Sequence, residues 1–224
     1  MCYLCNLLVD QIDTIKTSLP LKKISEKYDE SYVSNVDIAL NNRLMTILSE
    51  RFPDHSIVSE ECVVESWDPE NCIYIDPLDG TENFVSGLPF WGVGVAIFSD
   101  SKCIYSLIYL PDLRIKACLE GISGIRKPHI KSRIQGFSSN RQSYASHATA
   151  SELRVTGCSM LNLCLVANGN FQTFSNLFGA NCWDIMPGIQ ICLGHSVEKI
   201  YIDGAVYDGR PLNPRKKYTL FVES

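Results

Sequence analysis

The sequence predicts a mixed α/β fold, on three observations. Apolar residues recur at helical spacing over 2–18 and 34–53, short β-favouring runs crowd between Ser56 and Leu119, and helix-then-strand patterning returns after Ser159. The first stretch ends before Pro20 and is expected to be a short opening helix; the polar stretch Ser25 to Ser31 reads as a loop. Ser34 followed three residues later by Asp37 has the form of a capping box, and Leu40, Leu44, Ile47 and Leu48 then share one face of a helix that stops near Pro53. Ser56-Ile57-Val58 is a short strand, beyond which Glu60 and Glu61 stand side by side. Adjacent side chains on extended backbone point to opposite faces, so only one of the pair turns inward, and Glu61 reads as the solvated one.

Cys72 to Ile75 is a second strand, expected to stop at the charged segment Asp76-Pro77-Leu78-Asp79-Gly80-Thr81-Glu82-Asn83-Phe84. Trp91 to Phe98, Cys103 to Leu110 and Arg114 to Leu119 form an antiparallel meander. Gly121 to Ser151 is polar and poorly periodic, and marks a boundary between a metal-binding α+β half (1–130) and an α/β half (131–224) of one two-part unit. Ser159 to Ala167 reads as a helix closed by Asn168-Gly169, and Phe171 to Phe174 as a strand. Trp183 to Pro187 opens another helix, with the proline in its first turn; Lys199 to Ile202 and Tyr218 to Val222 are the last strands.

Composition narrows the function classes. A chain of 224 residues, 46% hydrophobic, buries roughly 70–75% of its unfolded surface, so disordered, collagen-like and small disulfide-stapled classes are excluded. A net charge of −5 provides no broad basic face for a nucleic-acid polymer, so any phosphate must be met by a local device such as metal ions or backbone amides. The ten cysteines are scattered, which favours a reduced, cytoplasmic setting. The start MCYLCNLLVDQ lacks the pattern of a secretory signal, and no apolar run approaches a membrane span. Cys2 and Cys5 make the lone CxxC and read as thiols of the first helix; His55, His129, His147 and His195 are isolated, with no zinc-type spacing.

The chemistry concentrates at Asp76 to Thr81. Two carboxylates three residues apart, with the Leu78 carbonyl between them, form an oxygen-only set suited to a hard divalent cation such as magnesium. Gly80 permits close backbone approach, and the amides of Gly80 and Thr81 at the start of a helical turn suit an anion.

VSNVD at Val33 to Asp37, FPDHSIVSEE at Phe52 to Glu61, DPLDGTENF at Asp76 to Phe84 and CWD at Cys182 to Asp184 together resemble the inositol monophosphatase family of magnesium-dependent, lithium-sensitive phosphatases. The likeness covers nearly the whole chain and implies a layered α/β/α/β/α sandwich. It implies Glu60, Asp76, Asp79, Asp184 and the Leu78 carbonyl as ligands of two or three Mg2+ ions. Gly80, Thr81 and Asp184 would then bind substrate, and Thr81, paired with Asp37, would act with Glu60 in activating the attacking water. The implied function is magnesium-dependent hydrolysis of a small soluble phosphomonoester: an inositol phosphate, a sugar phosphate or a nucleotide 3′-phosphate. Partners beyond that metabolite are a homodimer mate by resemblance, with no nucleic-acid polymer and no membrane. A non-catalytic phosphometabolite binder of the same family is the alternative.

Plainer readings stand beside these. Asp37 serves equally as the third residue of a capping box, Asp184 as a favourable charge at a helix N-terminus, Asp76 and Asp79 as an Asx-type turn, and Thr81 as a capping hydroxyl. Gly92-Val-Gly94 only superficially resembles a dinucleotide loop, and Trp183 is most simply core. The chain also departs from the family pattern. Ser59 replaces the usual glycine before the glutamate pair, Glu26 and Lys27 occupy the region of a common lysine, and Leu177 replaces the glutamate of inositol-specific members. The family's last helix is expected to be missing after Val222.

Overall fold

The computed structural model describes residues 3–19, 23–26, 32–62, 66–139, 152–195, 197 and 199–224. Cys2, Lys27 and His147 lie outside them. Helix α1 (Tyr3–Ser18) buries Leu4, Cys5, Leu8 and Ile12, the helical-period stripe of the sequence. Helix α2 (Asn35–Arg51) begins at the expected capping box: Ser34 Oγ accepts from the amides of Val36 and Asp37, and Asp37 Oδ2 accepts from Ser34 N–H at 3.0 Å. The stretch expected to be a loop is partly a strand, because Ile24–Glu26 (β1) pairs antiparallel with Tyr32–Ser34 (β2) just ahead of that cap.

The first large sheet holds six strands in sequence order: β3 (Ser56–Ser59), β4 (Cys72–Asp79), β5 (Gly92–Ser99), β6 (Lys102–Leu110), β7 (Ile115–Cys118) and β8 (Gly121–Ser123). All neighbours are antiparallel except β3 and β4. One face, with Ile73, Ile75, Val93, Val95 and Ile97, packs against α1 and α2. The other, with Tyr74, Ala96, Phe98 and Ile108, packs against α4 (Ser159–Ala167) and α5 (Cys182–Gly194). Those two helices in turn cover the second sheet, ordered β10 (Glu152–Val155), β9 (Ile134–Phe137), β11 (Thr173–Ala180), β14 (Tyr218–Glu223), β12 (Lys199–Ile202) and β13 (Ala205–Val206). Helix pair, sheet, helix pair and sheet are thus stacked in succession, the order of the expected α/β/α/β/α sandwich with no helix after β14 among the described residues. Because both faces of the first sheet are buried, its central strands read as unbroken apolar runs.

Four local expectations are corrected. Strand β4 does not stop at Asp76 but runs on to Asp79, with one extra residue opposite β5: Asp76 pairs with Gly94 and Asp79 with Gly92. Phe171 is not in a strand; its amide and that of Asn170 both donate to Leu165 O, closing α4, so β11 begins at Thr173 and runs past Leu177. Pro187 is the sixth residue of α5, beyond the first turn. Its carbonyl accepts the Ser106 hydroxyl at 2.7 Å and its ring is buried, so packing against β6 offsets the missing helical bond. Glu60 and Glu61 lie in a turn after β3 rather than on extended backbone, so strand alternation is not what separates them.

Gly92 and Gly94 belong to β5 and form no dinucleotide loop. A Cβ on Gly94 would fall 2.2 Å from Met160 Cε and 2.9 Å from Pro187 Cγ, so its absence lets α4 and α5 close onto the sheet beneath the bulge.

Candidate active site

The bulge changes how two acids three residues apart are disposed at the end of β4. On a regular strand Asp76 and Asp79 would face opposite sides; the extra residue resets the alternation at the strand end. Asp76 is 1% exposed, and its Oδ1 accepts from Leu78 N–H at 3.0 Å, the Asx-type turn of the plainer reading. Carboxylate oxygens of Asp76, Glu60 and Asp184 all lie within 4.8 Å of one another. Glu60 comes from the turn after β3, whose amide donates to Ile75 O in β4 at 3.3 Å. Asp184 comes from the first turn of α5, where its Oδ2 accepts from Asn181 N–H at 3.0 Å. One oxygen of each Asp thus serves its local turn or cap.

Burial is the main cause that holds Asp76 well above the usual carboxylate range, with the charges of Glu60, Asp79 and Asp184 adding to it. Asp184 is pushed up likewise by burial and then by Asp79 and Glu60, against the opposing pulls of the Asn181 amide and then Lys217. A divalent cation placed among these carboxylates would let all of them ionise, and the all-oxygen donor set fits a hard one.

Asp79 stands beside the triad rather than in it. Its Oδ2 accepts from Met160 N–H at 2.6 Å and from the Cys158 thiol at 3.1 Å, at the N-terminus of α4. Burial still outweighs these donors and brings its pKa to about 6. The Leu78 carbonyl, also expected in the site, accepts the Thr81 hydroxyl at 3.1 Å. Thr81 Oγ also lies 3.5 Å from Asp37 Oδ1, while Asp37 Oδ2 is held by the Ser34 amide and hydroxyl. Capping and site readings of Asp37 thus occupy different oxygens. Burial raises the Asp37 pKa, the Ser34 bonds oppose it, and Glu61 adds a repelling charge.

Gly80, at φ 87°, starts the short helix α3 (Thr81–Val85), whose N-terminus has no side-chain cap. A Cβ there would meet Phe90 O at 2.7 Å, which accounts for glycine at this turn. Asn83 and Phe84 complete the motif as structure: Asn83 Nδ2 donates to Phe90 O and Thr156 O, and Phe84 meets Trp91 edge-on at 4.9 Å.

Sequence reasoning missed the wall beyond Asp79. A cavity of about 180 Å³ opens there, lined by Cys158, Ser159, Asn162, Asn176 and Phe178 among others. The signal available was Thr156-Gly157-Cys158 ahead of a helix, an N-terminal pattern in which Cys158 supplies the cap. Leu177 is 38% exposed within the irregular part of β11.

Comparison with known proteins bears on this site. A relative named fructose-1,6-bisphosphatase/inositol-1-monophosphatase from Aquifex aeolicus is 28% identical over 191 residues, covering 76% of this chain and 72% of its own. Nus factor SuhB of Haemophilus influenzae is 30% identical over 186 residues, covering 73% of this chain and 69% of its own. An IMPase/NADP phosphatase solved with Mg2+ and phosphate superposes with a TM-score of 0.78 at 21% identity, over 98% of this chain and 88% of that one, which shows the shared fold. The profile of the inositol monophosphatase family matches residues 6–197, a span that takes in most of α1, the acidic triad and the Asp79 turn; the chain belongs to that family of phosphatases.

Proposed function

We propose that the chain is a magnesium-dependent phosphomonoesterase acting on a small soluble phosphate: an inositol phosphate, a sugar phosphate or a nucleotide 3′-phosphate. The observation that carries the reading is the mutually repelling triad of Glu60, Asp76 and Asp184. These three, with Asp79 and the Leu78 carbonyl, would hold two or three Mg2+ ions. Most of the ligands belong to residues 1–130 and Asp184 to residues 131–224. When bound, the ions would supply Lewis-acid neutralisation of the phosphate and acidification of the attacking water.

The chain's own groups do the rest. The Gly80 and Thr81 amides and Asp184 bind and orient the substrate at the start of α3, and Glu60 holds the attacking side of the site. The Thr81 hydroxyl orients the water and accepts its proton while passing its own to Asp37 Oδ1, whose raised pKa suits it to receive one. A cytoplasmic setting and a homodimer belong to the same reading. The first is supported by the nine cysteines of the described residues, all free thiols, and the second by family resemblance alone. Among the described residues no helix is long and apolar enough to cross a membrane.

The test is release of inorganic phosphate from a panel of phosphomonoesters with Mg2+, with EDTA, and by Asp76→Asn. Turnover that requires both Mg2+ and Asp76 is expected. No turnover of any substrate, while phosphorylated ligands still raise the melting temperature, would replace this reading with non-catalytic binding.

A further inference from the structure

Glu60 sits in a turn, and a turn by itself does not fix a carboxylate to the fraction of an ångström that a metal site demands. The turn is tied elsewhere. Asn41, 3% exposed, lies one helical turn beyond Asp37 on the inner face of α2. Its Oδ1 accepts the hydroxyl of Ser59, 0% exposed and immediately before Glu60, at 2.6 Å. Its Nδ2 points to Cys62 Sγ, two residues after Glu60, and to Met45 Sδ, each at 3.5 Å. Cys62 closes the ring twice, its thiol lying 3.3 Å from Met45 Sδ and its amide donating to Ser59 O at 3.3 Å.

One amide side chain thus grips the turn on both sides of Glu60. It ties that turn to the helix that also carries Asp37, the partner of Thr81. We infer that Asn41, through Ser59 and Cys62, is a positioning residue that sets the Glu60 carboxylate for metal binding. The inference rests on the metal reading of Glu60 given above.

A purely structural role predicts something different, and hydrogen-bond energetics separate the two. Losing one partner strands a buried polar group, whereas replacing both by apolar groups of similar shape is nearly neutral for stability. The double variant Asn41→Leu/Ser59→Ala should therefore melt close to wild type yet leave the turn untied. Calorimetric titration of the metal-free protein with Mg2+ is the readout. Affinity is expected to fall about tenfold or more in the double variant and in Ser59→Ala, the usual scale for groups that orient a metal ligand. In steady-state assays the Mg2+ activation constant should rise by a similar factor, with kcat at saturating Mg2+ changed little.

Affinity within twofold of wild type in the double variant overturns the inference; if that variant does not fold, Ser59→Ala alone decides by the same criterion. A wild-type protein that binds no Mg2+ overturns the metal reading as well, so the two failures are distinguishable.

Discussion

Asp76→Asn should make the metal-free protein more stable while removing its function. The carboxylate oxygens of the triad lie within 4.8 Å. At that separation, and an effective dielectric constant of about 20, two full charges repel by about 3.5 kcal/mol. The substitution removes Asp76 from its pairings with Glu60 and Asp184 and keeps an Oδ1 for the Leu78 amide. Proton uptake already relieves part of the repulsion, so a gain of about 2 kcal/mol is expected at pH 7, which is a rise of about 4–8 °C in melting temperature for a chain of this size. Mg2+ at a hundredfold excess over its dissociation constant should stabilise the wild type by about 2.7 kcal/mol, and the variant by little. Thermal unfolding in EDTA and in Mg2+, followed by circular dichroism, gives all four values. If Asp76→Asn melts below wild type in EDTA, or gains as much from Mg2+, the triad is not a frustrated cation site.

Acidity should act in the same direction. Asp37, Asp76, Asp79 and Asp184 all have folded pKa values raised above the ordinary aspartate value of 3.8. The folded state therefore binds extra protons, and its stability falls as pH rises through that window, from 3.8 to about 6 for Asp79. Asp68 and Asp203, which are lowered, act below that range. The metal-free protein should melt higher at pH 5 than at pH 7, and the Mg2+ increment should be larger at pH 7; equal increments at both would contradict the assignment. Thr81→Ala removes the hydroxyl between Asp37 and Leu78. It should cut kcat by about 10²–10⁴ with the Mg2+-induced rise in melting temperature intact, so a variant with near-normal kcat would remove Thr81 from the proton path. Gly80→Ala forces a side chain into a left-handed turn against Phe90 O and should cost about 2 kcal/mol or more in thermal unfolding; a change within 1 °C or so would refute the turn geometry.

Elements bounded by local chemistry were legible in the sequence. The Ser34–Asp37 cap, the Ser159–Ala167 helix and the meander from β5 to β7 match because spacing and capping act within a few residues. The errors fell where distant contacts decide. Phe171 looked like strand but turns at the end of α4, where its carbonyl accepts the hydroxyl of Ser224 at 3.1 Å, and Pro187 sits deeper in α5 than a first-turn proline because Ser106 and the packing beneath Gly94 hold it.

The site divides along the same line. Composition and the Asp76 to Thr81 motif alone determined that hard-cation and phosphate chemistry was to be sought, since oxygen ligands, a glycine turn and helix-start amides are local facts. Only the tertiary structure decided which acids meet. It brought Glu60 and Asp184, 124 positions apart, onto Asp76, and left Asp79 anchored to the α4 N-terminus. It also showed that the capping and site readings were not rivals, because a carboxylate has two oxygens and each can answer to a different part of the fold. Neither spacing nor propensity encodes that division; it follows from where the bulge in β4 and the starts of α2 and α5 converge.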